Sequence, residues 1–209
     1  AVFRPPFRSF ERSQWAALIP WGLALGWMNL AFYQALERIP LGLAVTLEFT
    51  GPLGVAVLGS RRPIDFAWVL LAAAGIALLS PIGAAALDPL GMALALCAGL
   101  CWAIYILVGG TVARRIRHDG HGAAAGMCVS ALAVLPFAAP SMAAADWKPS
   151  LVGVGLGVAA LSSALPYSLE LVALRRLPSR TFGILMSLEP AIAALTGTIF
   201  LGEALGPLQ

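Results

Sequence analysis

The chain has 209 residues, of which 60% are hydrophobic and 11% charged, with a mean hydropathy of +0.88. An ordinary soluble domain carries about a quarter of its residues as charges, so that class is excluded. The formal net charge of +3 does not point to nucleic acid, because the basic residues stand in short links between apolar stretches, where membrane topology accounts for them.

The chain starts at Ala1 with an Arg- and Pro-containing segment and shows no initiator Met, signal peptide or lipidation pattern, so it reads as a fragment of a longer protein. Seven apolar segments follow, at 14–36, 41–59, 64–83, 90–110, 121–139, 151–174 and 180–202. Each approaches the roughly 20 residues that a helix needs to cross a ~30 Å hydrocarbon layer, and none alternates with the two-residue period of a membrane β-barrel. The expected class is an all-α integral membrane protein in a lipid bilayer. The fifth segment is the weakest, being Ala-rich and holding Pro136 near its end.

Distributing the basic residues over alternating sides tests this count. Arg4, Arg8, Arg12, Arg61, Arg62, Arg114, Arg115, Arg117, Arg175, Arg176 and Arg180 fall on one side, and only Arg38 and Lys148 on the other. The positive-inside rule makes the richer side cytoplasmic, and deleting the fifth segment destroys the asymmetry.

Residues 35–56, ALERIPLGLAVTLEFTGPLGVA, return without a gap as residues 173–194, ALRRLPSRTFGILMSLEPAIAA. The pairs Arg38/Arg176, Pro40/Pro178 and Pro52/Pro190 carry the match. Five spans separate the copies, and an odd number reverses direction, so the repeats are inverted about an axis in the membrane plane. A five-helix repeat needs ten helices. Residues 1–83 then supply helices three to five of the first repeat, and residues 84–209 supply the second repeat without its last helix. Interrupted helices in a long inverted repeat are the pattern of a secondary transporter. Gly22-x-x-x-Gly26 recurs as Ala160-x-x-x-Ala164, small residues that let a neighbouring helix approach.

The stretch from Leu188 to Glu203, LEPAIAALTGTIFLGE, resembles the EamA-type branch of the drug/metabolite transporter superfamily. Further stretches, PLGLAVTLEFTGPL at Pro40–Leu53, SRRPIDF at Ser60–Phe66, CWAIYIL at Cys101–Leu107, ALPYSLE at Ala164–Glu170 and RTFG at Arg180–Gly183, are similar to the bacterial inner-membrane threonine and homoserine exporters within it. The resemblance implies ten helices in two inverted halves and export of small amino acids or related metabolites across the inner membrane. The alternative within the superfamily is a carrier of hydrophobic cations or other small metabolites. A membrane enzyme is the reading from another class, but no clustered nucleophile and base or metal constellation supports it.

Three acids lie inside predicted spans, Glu48, Glu170 and Glu189. A charged acid at a helix centre costs about 2.5–3.5 kcal/mol on insertion scales, so each faces a cavity, is protonated, or has a partner. Glu189 maps onto Gly51, three residues from Glu48 and so on much the same helix face. Pro52 and Pro190 stand close to these acids and, with Pro166 in span six, are candidate helix breaks that free backbone carbonyls. Glu48 and Glu189 read either as cavity groups that exchange a proton and attract an ammonium, or as hydrogen-bonding partners that close the proline notch. Glu170 stands near enough in sequence to reach Arg175 or Arg176 instead.

Asn29, Tyr33, Tyr105 and Tyr167 are uncharged candidates for a cavity lining or for packing, Asn29 mapping onto Tyr167 in the repeat. No Lys or Arg stands well inside a span, which disfavours phosphate-bearing substrates and favours a zwitterion. The implied partners are a small-molecule substrate and protons, with no assignment of oligomeric state. No cofactor or metal is implied: Cys97, Cys101 and Cys128 read as buried inert thiols, and His118-x-x-His121 as a solvated loop. Glu37, Asp65, Asp88, Asp146 and Glu203 read as capping or solvated groups at span ends.

Overall fold

The computed structural model describes residues 7–39, 41–60, 88–116, 119–144, 147–186 and 188–189, with the single positions 67, 70, 74 and 192. Most of predicted spans 64–83 and 180–202, together with Asp65, His118, Asp146, Pro190 and Glu203, lie outside the described residues. Regular structure among those described is all helical. After a 3-10 turn at Phe7–Ser9 come α1 (Arg12–Leu36), α2 (Leu41–Glu48), α3 (Thr50–Gly59), α4 (Pro89–Arg115), α5 (Asp119–Ala144), α6 (Pro149–Val158), a π-helical segment (Ala159–Ala164), α7 (Leu165–Arg176) and α8 (Ser179–Met186). Among the described residues, four helical stretches are long and apolar enough to cross a membrane: Arg12–Leu36, Pro89–Arg115, Gly120–Ala143 and Pro149–Arg176.

Local chemistry sets the boundaries. Before α1, the backbone N–H of Glu11 donates to Gln14 Oε1 at 3.0 Å, half of a capping box. That helix ends ahead of Pro40, whose ring disfavours a helical predecessor, and both Arg38 and Ile39 fold back to bond the Ala35 carbonyl at 2.9 Å. At the start of α4, Asp88 Oδ1 accepts the N–H of Leu90 at 2.8 Å and of Gly91 at 3.4 Å, with Pro89 in the first-turn position that needs no donor. Asp88 is thus the cap expected of it. Helix α5 carries Pro136 and Pro140 without ending at either. His121 lies in its first turn, so the loop expected there is helical from Asp119 onward.

Two compact units emerge. The first comprises residues 1–27 and 108–177, the second residues 28–107 and 178–209, so α1 and α4 are each divided between them. In the first unit the buried side chains Leu18, Trp21, Val112, Leu171 and Leu174 form the interior. Trp21, fully buried, fits against two glycines. A Cβ on Gly126 would lie 2.0 Å from the indole Cζ3, and one on Gly109 2.9 Å from Nε1. Gly22 and Gly26 let α1 press on α5, their hypothetical Cβ atoms falling 2.6 Å from the Gly126 carbonyl oxygen and 3.0 Å from that of Ser130. The small-residue pair expected to admit a neighbouring helix does so.

One end of this unit is tied by arginines. Arg115 donates to the Ser13 carbonyl at 2.7 Å, and Gln14 Nε2 to the Arg115 carbonyl at 3.0 Å. From the end of α7, Arg175 donates through Nε to the Ala113 carbonyl at 2.7 Å and through its terminal nitrogen to the Ile116 carbonyl, covering acceptors that the last turn of α4 leaves without intrahelical donors. A cation at a helix C-terminus also opposes the negative end of the dipole.

The second unit packs the last turns of α1 on α2 and α4 through Ala35, Ile39, Ala44 and Ala95, with Phe32, Leu36, Leu47 and Met92 around them. Gly91 admits the Arg38–Ile39 turn, a Cβ there falling 2.8 Å from side-chain carbons of both residues. Arg38 pairs with Asp88 at 3.3 Å. Helix α3 packs along α8, whose Arg180 lies against Gly59.

The outer faces are as apolar as the inner ones. On α4 the stripe Leu96, Leu100, Ile104 and Leu107 is exposed while Ala95, Ala98, Trp102, Tyr105 and Ile106 are buried; Leu151, Val154, Leu156, Val158, Leu161, Leu165 and Leu169 are all exposed. Helices apolar all round suit a surrounding lipid phase. Cys97 and Cys128, expected to be buried, are exposed, and the three cysteines are free. A thiol is apolar enough to face acyl chains, so a membrane span need not bury it.

Candidate functional site

A broken helix in the second unit carries the charge. Helix α2 ends at Glu48, Phe49 forms a turn with φ −65° and ψ −12°, and α3 restarts at Thr50. Pro52, the third residue of α3, has no N–H to return to the carbonyl of residue 48, four positions earlier, so the break follows from chemistry. Thr50 Oγ1 donates to the Leu47 carbonyl at 2.6 Å and helps satisfy the interrupted turn. Glu48 is 9% exposed and is the buried charged side chain among the described residues.

Two neighbouring helices enclose this break at backbone distance. Gly99 of α4 faces it, since a Cβ on Gly99 would stand 2.6 Å from the Glu48 carbonyl oxygen, and one on Gly51 1.9 Å from the Gly99 carbonyl oxygen. From α8, a Cβ on Gly183 would stand 2.6 Å from the Pro52 carbonyl oxygen. One turn along α4, Trp102 meets Phe49 edge to face, with ring centroids 4.9 Å apart and planes at 73°. Tyr105, three residues further, is fully buried.

Glu189 belongs to the same unit, in a helical turn after α8, and is near enough to Glu48 for the two carboxylates to interact electrostatically. Glu189 is exposed, whereas Glu48 is buried. Asn29 is half-buried on α1 in this unit, whereas Tyr33 on the same helix is 65% exposed. The first unit holds the other candidates. Tyr167 and Glu170 are half-buried on α7, and Pro166 follows the π-helical segment. A proline at 166 removes a donor from the ladder just where the helix widens, and the N–H of Leu165 bonds the Ala160 carbonyl, five residues back. No group of three or more metal-ligating side chains occurs among the described residues.

Residues 89–209 match the EamA-like transporter family. The chain belongs to that family. It is 50% identical over its whole length to the threonine/homoserine exporter RhtA of Escherichia coli (strain K12) and 49% identical to RhtA of Salmonella typhimurium (strain SL1344), spanning 71% of each. A solved crystal structure superposes with a TM-score of 0.70, covering 94% of this chain and 71% of that one at 21% identity, which shows the fold alone. Membership makes this EamA-like protein a transporter and not an enzyme, and with its apolar helices implies a multi-pass protein of a bacterial inner membrane.

Glu48 and Pro52 were legible in the sequence as site residues, but Gly99, Gly183 and Phe49 were not. The signal for Gly99 was a lone glycine in an Ala- and Leu-rich span, which does not reveal what crosses it.

Proposed function

We propose that this EamA-like protein is a secondary exporter of small amino acids, threonine and homoserine foremost, that works by alternating access with substrate leaving as protons enter. The observation that carries the reading is 50% identity, over the entire chain, to an exporter named for those two substrates. Glu48 and Glu189 bind and release the proton and attract the substrate ammonium, with Asn29, Tyr33 and Tyr105 lining the route in the second unit; Tyr167 and Glu170 are taken as polar groups serving transport within the first. Burial of Glu48 at a helix break supports this, because an acid held in an apolar interior is retained where it has work to do. The break at Pro52 and the widened π-helical turn before Pro166 supply polar backbone inside their spans.

In this reading the seven spans are helices three to nine of ten, divided at residues 83 and 84 between two inverted repeats. The loops rich in arginine are cytoplasmic. Two contacts support that orientation. The Arg38–Asp88 pair joins the α1–α2 link to the start of α4, both on the side with few basic residues. In the first unit, Arg115 meets the beginning of α1 and Arg175 the end of α4, both on the basic side.

The test is efflux of labelled threonine and homoserine from proteoliposomes holding the full-length protein, under imposed pH gradients and against a panel of other amino acids and hydrophobic cations. Competition by the two substrates and acceleration by an inward proton gradient support the proposal. Competition by cations alone would move the assignment to the cation-exporting alternative.

A further inference from the structure

Glu48 is an acid whose own main chain is left short of a helical donor by Pro52, and Gly99 occupies the space beside it. The absent Cβ of Gly99 would point at the Glu48 carbonyl oxygen from 2.6 Å and at the Leu47 carbonyl oxygen from 3.2 Å, so a Cα hydrogen of Gly99 is directed at the carbonyl that Pro52 cannot serve. On the return side, Gly51 brings α3 so close that its missing Cβ would overlap the Gly99 carbonyl oxygen. The contact is backbone on backbone and has no flexible side chain to absorb a change.

We infer that Gly99 is a positioning residue for substrate binding: it seats the α2–α3 break against α4 and thereby sets where the Glu48 carboxylate stands. The inference rests on the proposed role of Glu48 in binding the substrate. Its neighbours limit the alternatives. Phe49 packs against the ring of Trp102 and the Pro52 carbonyl lies close to Gly183, so the break is in contact on further sides and Glu48 stands next to the point where residue 99 would push. Displacing a binding group by about 1 Å can cost as much as a hundredfold in a positioned site, and a methyl group at 99 demands a shift of that order.

The test compares Gly99→Ala, Gly54→Ala and Glu48→Gln in the full-length protein reconstituted in proteoliposomes. Gly54 is the control, since a Cβ there meets nothing within 4 Å. Expected for Gly99→Ala is a rise of about tenfold in the KM for threonine or homoserine, with kcat per folded molecule changed less than about twofold, while Gly54→Ala keeps both constants. A purely structural role would instead lower the amount of folded protein and leave KM alone. If Gly99→Ala is not recovered folded, Pro52→Ala carries the test. It returns an N–H to the Glu48 carbonyl, draws it back into the helical ladder and is expected to raise KM in the same way. Wild-type KM in Gly99→Ala, or in Pro52→Ala where that is the variant recovered, together with loss of binding in Glu48→Gln, overturns the positioning role and leaves the proposed function standing. Wild-type KM in Glu48→Gln removes the proposed role of Glu48 and this inference with it.

Discussion

Substituting Gly126 by alanine places a methyl group 2.0 Å from Trp21 Cζ3 and 2.3 Å from Cε3. Carbon atoms in contact prefer about 3.5–4.0 Å, so roughly 1.5 Å of separation must be found. The indole cannot retreat, because its nitrogen edge already lies where a Cβ of Gly109 would be only 2.9 Å away, and the residue is fully buried. Nor can α1 and α5 part without loosening Gly22, whose own Cβ position is 2.6 Å from the Gly126 carbonyl oxygen. Overpacking of this kind costs about 1–3 kcal/mol. The assay is the unfolding midpoint of the purified protein in mixed detergent micelles. A second measurement isolates the cause. Trp21→Phe removes the benzo ring that collides, so combining it with Gly126→Ala should recover about 0.5–3 kcal/mol of coupling. A Gly126→Ala protein within about 0.5 kcal/mol of wild type, or strict additivity in the double variant, would refute the packing described for this unit.

Three further outcomes are expected. Glu48→Gln should abolish the response of efflux to an imposed pH gradient, read as initial rates in proteoliposomes; an unaltered response removes Glu48 from proton coupling. Gly183→Ala should lower the unfolding midpoint in micelles, because its methyl group meets the Pro52 carbonyl oxygen, whereas Gly54→Ala should not; equal midpoints contradict the α3–α8 contact. Asp88 accepts hydrogen bonds from the Leu90 N–H, the Gly91 N–H and Arg38, and these hold its carboxyl below the ordinary aspartate value against the opposing effect of desolvation. A carboxyl depressed by folding stabilises above its unfolded pKa of about 3.9 and stops doing so as the pH falls through the folded value. The stability difference between wild type and Asp88→Asn should therefore stay constant from about pH 8 to about pH 5 and close only in stronger acid. A difference that already shrinks between pH 7 and pH 5 contradicts the assignment.

Helix ends were legible where local chemistry decides them. The span expected at 14–36 is α1 at Arg12–Leu36, that expected at 90–110 is α4 at Pro89–Arg115, and 121–139 is α5 at Asp119–Ala144. The ends run longer because capping and polar first turns extend a helix past its apolar stretch. The span expected at 41–59 is interrupted at Phe49, a break that Pro52 announces without giving its geometry. The π-helical turn ahead of Pro166 was not read, because its register depends on which carbonyls the proline leaves free. Gly99 and Gly126 were not read. Their role depends on what lies opposite, and a glycine carries no mark of its partner in sequence.

The measurement that bears most directly on the central claim is efflux of labelled threonine and homoserine by the full-length protein, reconstituted alone in proteoliposomes, with and without an inward proton gradient. The account predicts saturable efflux of both, accelerated by the gradient and made indifferent to it by Glu48→Gln. Efflux no faster than from protein-free vesicles, or a wild-type rate that ignores the gradient, would contradict it.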